Sequence, residues 1–312
     1  MIKDFIPYEA VTAFLVVRKK DVKEYGGKNF LSLEFGDSSG RIAGVWWEPD
    51  RAAVEDLREG MVVKVKGDTQ TYRGKDQLKV TRMRPAKDDE YDLADLLPHT
   101  PFPIEELKAR ILSITEKVEN SFIRRLMDSF WNDEELFAEY LKAAAGKLWH
   151  HAYIGGLAEH SLNVTDICLD MARRYEFLDR DLLVFGGLFH DVGKVAQYGI
   201  TSFIDYTDEG RLIGHISWAD HEITRRAETV ENFPPKLLMK IRHLILAHHG
   251  QLDFASPVVP QIPEAFVLYY ADEIDSKMGA IKRIRDKTGG SGWSEYVKLL
   301  GRHLYFGEDD KK

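Results

Sequence analysis

Apolar and polar residues alternate through the first 86 positions. AVTAFLVVRKKDV (residues 10–22) is rich in β-branched and aromatic residues. In KNFLSLEFGD, Phe30, Leu31, Leu33 and Phe35 surround polar Ser32 and Glu34. GRIAGVWWEP follows the turn residues Asp37, Ser38, Ser39 and Gly40, and Val63 and Val65 then alternate with Lys64 and Lys66 before a last run, KDQLKVTRMRP. A period of two between Gly, Asp and Ser turns predicts strands, and five short ones at this spacing predict a small closed or partly closed β-barrel. A helical stretch is expected at 49–59, ahead of Gly60.

Residues 85–103 (PAKDDEYDLADLLPHTPFP) break the pattern. They are acidic and hold four prolines, which reads as a linker or extended strap. Beyond them the apolar positions recur at i, i+3, i+4 and i+7, predicting helices at 104–119, 121–145, 155–175, 181–190, 216–231, 234–249 and 263–286. Between 198 and 212 a small hairpin turning at Asp208-Glu209-Gly210 is expected instead. The predicted class is multidomain α+β, with a barrel at 1–86, a linker at 87–103, an all-helical domain at 104–306 and a tail at 307–312. Five strands with a late inserted helix is the layout of an OB-fold.

Composition narrows the class. With 44% hydrophobic and 30% charged residues, the 312-residue chain is globular rather than disordered. No uncharged apolar run approaches the roughly 18–20 residues that span a bilayer, so no membrane partner is expected. Asp4 and Glu9 stand where a signal peptide would need basic and then apolar residues. The single cysteine, Cys168, excludes a disulfide framework and a thiolate zinc site. A soluble protein of a reducing compartment follows.

The formal charge of −8 argues mildly against a nucleic-acid partner. Its partition does not. Residues 1–86 carry 16 basic and 13 acidic side chains, a net of +3, whereas the remainder carries 27 and 38, a net of −11.

Most of the histidines fall in the helical half, in the order His160, His190-Asp191, His215, His248-His249, with Asp272 following. Alone, His160 or His215 reads as a hydrogen-bonded core histidine, and Asp272 as a buried carboxylate with a structural partner. Together, on helices or helix ends, they read as ligands. Imidazoles mixed with carboxylates suit Mn²⁺, Fe²⁺ or Zn²⁺ and not Ca²⁺. Gly193 would let the helix break so that His190 and Asp191 reach one ion. Glu159, Asp166, Glu273 and Asp275 are the carboxylates that could orient the imidazoles.

His160, His190-Asp191 and Asp272 resemble the motif of the HD-domain phosphohydrolases. The match extends over about residues 10–285 through KNFLSLEFGDSSGRI, GMVVKVKGDTQTYRGKDQL, YDLADLLP, HHAYIGGLAEHSLNV, HDVGK and EGRLIGHI. These resemble the OB-fold plus HD-domain 3′–5′ exoribonucleases of the YhaM type. The resemblance implies a metal-dependent hydrolase acting on single-stranded RNA, with some activity on DNA, and a homo-oligomer is left open. It implies a first metal on His160, His190, Asp191 and Asp272. Asp191 would bridge to a second held by His215 and His248 or His249, with Mn²⁺ preferred and Fe, Co, Mg or Zn as alternatives.

Two cations sharing a carboxylate can activate a water and neutralise phosphate oxygens together. Lys194, in the HDVGK run, could face a phosphate oxygen, and His151 could contact substrate phosphate, with His150 a weaker candidate. In the barrel, bases would stack on aromatic faces while cations track the backbone. Tyr72, Arg73 and Lys75 lie in a hairpin turn and are the favoured contacts. Trp46 and Trp47 are adjacent in a strand, so at most one of them faces a nucleic acid. The competing readings are a phosphohydrolase of small nucleotides and a non-catalytic RNA-binding protein. A complete ligand set disfavours the second.

Overall fold

A computed structural model describes residues 1–49, 55–72, 74–147 and 151–308. It divides into two compact units, Met1–His99 with Ile200–Asp205, and Thr100–Gly199 with Tyr206–Lys312. Among the described residues no helix is long and apolar enough to cross a membrane.

The first unit is a closed five-stranded barrel of β1 (Ala10–Tyr25), β2 (Lys28–Asp37), β3 (Gly40–Trp47), β4 (Val62–Tyr72) and β5 (Lys75–Pro85). The strands run in the order β1-β2-β3-β5-β4, with β3 and β5 parallel and the other pairs antiparallel. Alternation explains the core: Leu15, Val17, Leu31, Leu33, Phe35, Val63, Val65, Leu78 and Val80 all point inward. Closure depends on Gly67, where a Cβ would stand 2.3 Å from the Lys79 carbonyl oxygen beside a β-bulge. Of the helix expected at 49–59, residues 50–54 lie outside the described residues, and 55–56 are helical.

The segment read as a linker is partly built into this unit. A short helix, α1 (Leu93–Leu96), follows the acidic run, and Leu96 packs with Val16 and Val62 on the outside of the barrel. Its apolar residues find a bare strand face to cover, which a count of prolines and acids does not register.

The second unit is helical. In chain order come α2 (Ile104–Glu116), α3 (Ser121–Trp131), α4 (Glu134–Lys142), α5 (Gly156–Arg174), α6 (Arg180–Phe189) and α7 (Lys194–Gln197). After a hairpin of β6 (Tyr198–Ile200) and β7 (Ile204–Tyr206) follow α8 (Asp208–Leu212), α9 (His215–Thr229), α10 (Pro235–Ala247) and α11 (Pro263–Lys287). The helix expected across 121–145 is two helices, because Asp133 caps the second by accepting from Leu136 N–H at 3.2 Å. The hairpin turns at 201–203, not at 208–210. There the Thr207 hydroxyl accepts from Gly210 N–H at 2.8 Å and starts a helix instead.

Helix α6 is apolar on every side and is buried from Asp181 to Phe189, so it forms the axis of the unit. Its phenylalanines stack with one another (Phe185 on Phe189, 4.6 Å) and on Trp131 (4.7 Å). Its C-terminus is therefore held deep in the protein.

Candidate metal centre

That buried helix end delivers His190 and Asp191. His160 approaches from α5, Asp272 from α11, His215 from the first residue of α9, and His248 from the end of α10. The helix does stop at Phe189 and the next begins at Lys194, but Gly193 keeps an ordinary right-handed backbone (φ −65°), so the break alone does not call for a glycine. Space does: a Cβ there would stand 2.1 Å from the His215 carbonyl oxygen. The glycine lets α9 begin against the His190-Asp191 turn.

Two donor groups meet at Asp191. His160 Nε2 lies 3.2 Å from His190 Nε2, 3.2 Å from Asp272 Oδ1 and 3.6 Å from Asp191 Oδ2. On the other side, Asp191 Oδ1 lies 3.4 Å from His215 Nε2 and 3.6 Å from His248 Nε2. His249 joins His215 and His248 in this second group. Asp191 Oδ1, His215 Nε2 and His248 Nε2 are buried and make no hydrogen bond. Leaving one such atom unpaired costs about 1–3 kcal/mol. Three converging on one point fit a cation that each would ligate.

The outward ring nitrogens fix the tautomers. His190 Nδ1 donates to the Gly187 carbonyl (3.1 Å), His248 Nδ1 to that of Ile245 (2.6 Å) and His249 Nδ1 to that of Phe254 (2.8 Å). His215 donates through both its backbone N–H (3.0 Å) and Nδ1 (2.8 Å) to Gln197 Oε1. His160 Nδ1 donates to Asp275 Oδ2 at 2.7 Å. Each partner is an acceptor, so each Nδ1 carries hydrogen and each Nε2 turns inward.

Electrostatics sort the groups further. Burial pushes His215 well below the usual imidazole range and His249 down to about 4, so both are neutral near pH 7. Burial also lowers His160, but hydrogen bonds to Asp272 and Asp275 outweigh it and push that ring up to about 9. Burial raises Asp191, yet Lys194, His190 and His248 together hold it well below the carboxylate range.

Lys194 is buried, and its ammonium sits 2.5 Å from Asp191 Oδ2. His151 is buried too, with Nδ1 2.7 Å from the Tyr153 hydroxyl and Nε2 2.8 Å from Asp275 Oδ2. Both of its ring nitrogens are engaged inside the protein. His150 lies outside the described residues. Of the four carboxylates named for orienting imidazoles, Asp275 does so directly. Asp166 pairs with Arg110, Glu273 with Lys277, and Glu159 accepts from Thr100 and Tyr153. Gln197 and Asn163, which donates to Asp275 Oδ1 at 3.0 Å, escaped the sequence reading because neither is a ligand type.

On the barrel, Tyr72 is 57% exposed at the β4–β5 hairpin with Lys75 beside it, and Arg73 lies outside the described residues. Trp47 faces outward, stacked on Phe30 at 4.7 Å. Trp46, half-buried, lines a cleft of about 510 Å³ with Lys64, Lys66, Arg82 and Arg84. The two arginines were not among the cations singled out from sequence.

Comparison with known proteins agrees with this layout. An HD domain matches residues 157–277, and an OB-fold nucleic acid binding domain matches residues 14–86. The chain is 33% identical over 281 residues to the 3′-5′ exoribonuclease YhaM of Bacillus subtilis, covering 90% of this chain and 88% of that one. It is 32% identical, with the same coverage, to the YhaM of Bacillus velezensis. A domain of replication protein A from Methanococcus maripaludis is similar at 22% identity over 28% of this chain and 92% of that one, with a TM-score of 0.25 too low to argue from. With identity of this level running through both units, the chain belongs to the YhaM family of 3′-5′ exoribonucleases.

Proposed function

We propose that the protein is a metal-dependent exonuclease that removes nucleotides from the 3′ end of single-stranded RNA and releases nucleoside 5′-monophosphates. Asp191 carries the reading. One of its oxygens faces His160 and His190, and the other faces His215 and His248, with three buried atoms left unpaired between them.

His160, His190, Asp191 and Asp272 would hold one divalent ion, and Asp191, His215, His248 and His249 a second, with Mn²⁺ the first choice. Such ions supply a nucleophilic water near neutral pH and positive charge for the phosphate oxygens. The chain's own residues set the conditions for this. The five imidazoles are held with Nε2 inward by their Nδ1 partners, so no ring would have to turn on binding, while His160 would give up its Nε2 proton to the incoming cation. The Lys194 ammonium balances Asp191 and lies where it can meet a non-bridging phosphate oxygen. Tyr72, Arg73, Lys75 and Trp46 are the barrel residues proposed to hold the strand.

The test uses 5′-labelled RNA with a panel of divalent metals, run beside Asp191→Asn. Wild type should yield a descending ladder with released 5′-monophosphates, stop in EDTA and recover in Mn²⁺. The variant should keep its circular dichroism and lose turnover. Intact RNA together with hydrolysis of free nucleotides would sink the proposal.

A further inference from the structure

The outer face of the barrel holds an arrangement that costs stability. In the β4–β5 register Lys64 stands directly opposite Arg84, and Lys66 directly opposite Arg82. Like charges directly opposite across an antiparallel pair repel and destabilise it. Elsewhere the barrel follows the ordinary rule: Asp68 faces Lys79 on the same two strands, and Arg41 pairs with Glu34 at 2.8 Å on β2 and β3.

The acidic strap relieves one corner of this row. Glu90 pairs bidentately with Arg84, at 2.7 and 2.6 Å. Lys64 lies over the Phe14 ring at 5.1 Å. Lys66 and Arg82 are exposed, and among the described residues neither has a carboxylate within ion-pair distance. All four cations line the cleft that Trp46 also lines. A concave surface with four cations, of which the Lys66–Arg82 pair is uncompensated, and an aromatic wall fits a polyanion with flat bases, whose phosphates would cancel the remaining repulsion.

We propose that the Lys64–Arg84 and Lys66–Arg82 row is a backbone track for single-stranded nucleic acid, separate from the Tyr72–Lys75 hairpin. This inference rests on the exonuclease reading, and it adds to the Trp46 contact a row of cations which that reading does not require.

The test is the salt dependence of binding to a fluorescent single-stranded oligoadenylate, with EDTA present to prevent turnover. It compares full-length wild type, Lys66→Gln/Arg82→Gln, and Lys236→Gln/Lys240→Gln on the helical unit as a control of equal charge. Losing two phosphate contacts should reduce the slope of log affinity against log salt by about 1.4. Between 50 and 200 mM salt, wild type would then lose about sevenfold more affinity than the row variant. The variant's melting temperature should equal or exceed that of wild type, because a repulsion is removed, and the control should bind like wild type. An unchanged slope in the row variant overturns the track, and so does a lowered melting temperature, which would make the row structural. If wild type itself fails to bind, the exonuclease reading falls first.

Discussion

Asp275 accepts hydrogen bonds from three side chains at once: His160 Nδ1 at 2.7 Å, His151 Nε2 at 2.8 Å and Asn163 Nδ2 at 3.0 Å. Its carboxylate fixes the ring whose Nε2 faces Asp272 and Asp191. Removing such an orienting partner commonly lowers metal affinity by about 10–100-fold. Asp275→Asn should therefore weaken Mn²⁺ binding in that range by calorimetry, while Mn²⁺-saturated enzyme regains most of its turnover. Equal Mn²⁺ affinity in the variant and wild type would remove Asp275 from the centre. At this scale the cluster of candidate ligands was legible, because so many imidazoles and carboxylates on apolar helices point to a shared purpose that no one of them does alone. The choice of Asp275 over Glu159, Asp166 and Glu273 was not, since all four lie near ligand positions in sequence. Only the packing of α5 against α11 decides which carboxylate reaches a ring.

Elements are placed by contacts that leave faint traces in sequence. Gly193 was read as permitting a helix to break, and the helix does stop at Phe189, but what needs a glycine is the gap into which the start of α9 fits. Gly193→Ala should cost about 1–3 kcal/mol in urea denaturation, as overpacking of a tight contact does. Because the strain falls on His215, binding of the second ion should weaken more than binding of the first. Arg226 fixes α9 from its other end. Its guanidinium is 2.6 Å from both Glu222 and Asp133, donates to the Ser129 carbonyl, and lies 4.5 Å from the centre of the Phe130 ring. Arg226→Ala leaves Glu222 with Arg225 alone and Asp133 without its guanidinium, and should cost about 1.5–3 kcal/mol.

The pH dependence of that loss has a definite sign. Hydrogen bonding to Arg226 lowers Asp133. Glu222 is raised by burial but lowered more by Arg225 and Arg226, so both carboxyls sit below their ordinary values of 3.8 and 4.5. Groups depressed on folding add stability above those values and lose it as pH falls. The gap between wild type and Arg226→Ala in melting temperature should hold near pH 7 and shrink below about pH 4. A gap that widens in acid would refute the assignment.

For the whole molecule, the net charge of −8 is the sum of two opposed halves. The barrel sequence is mildly basic and crowds cations on one face, while the helical half places carboxylates where divalent ions would reverse the local field. On the proposed reading a long strand would engage both kinds of surface, whereas a dinucleotide would use the metal centre alone. The proposed barrel contacts would release counterions from a length of backbone, so the two substrates should respond differently to salt. Raising salt from 50 to 200 mM should lower kcat/KM on long RNA steeply, through KM, and leave dinucleotide turnover nearly unchanged. Lys66→Gln/Arg82→Gln should flatten the long-RNA response and leave the dinucleotide response alone. If both substrates lost activity in parallel, salt would be acting on the metal centre, and the division of labour between the two units would have to be abandoned.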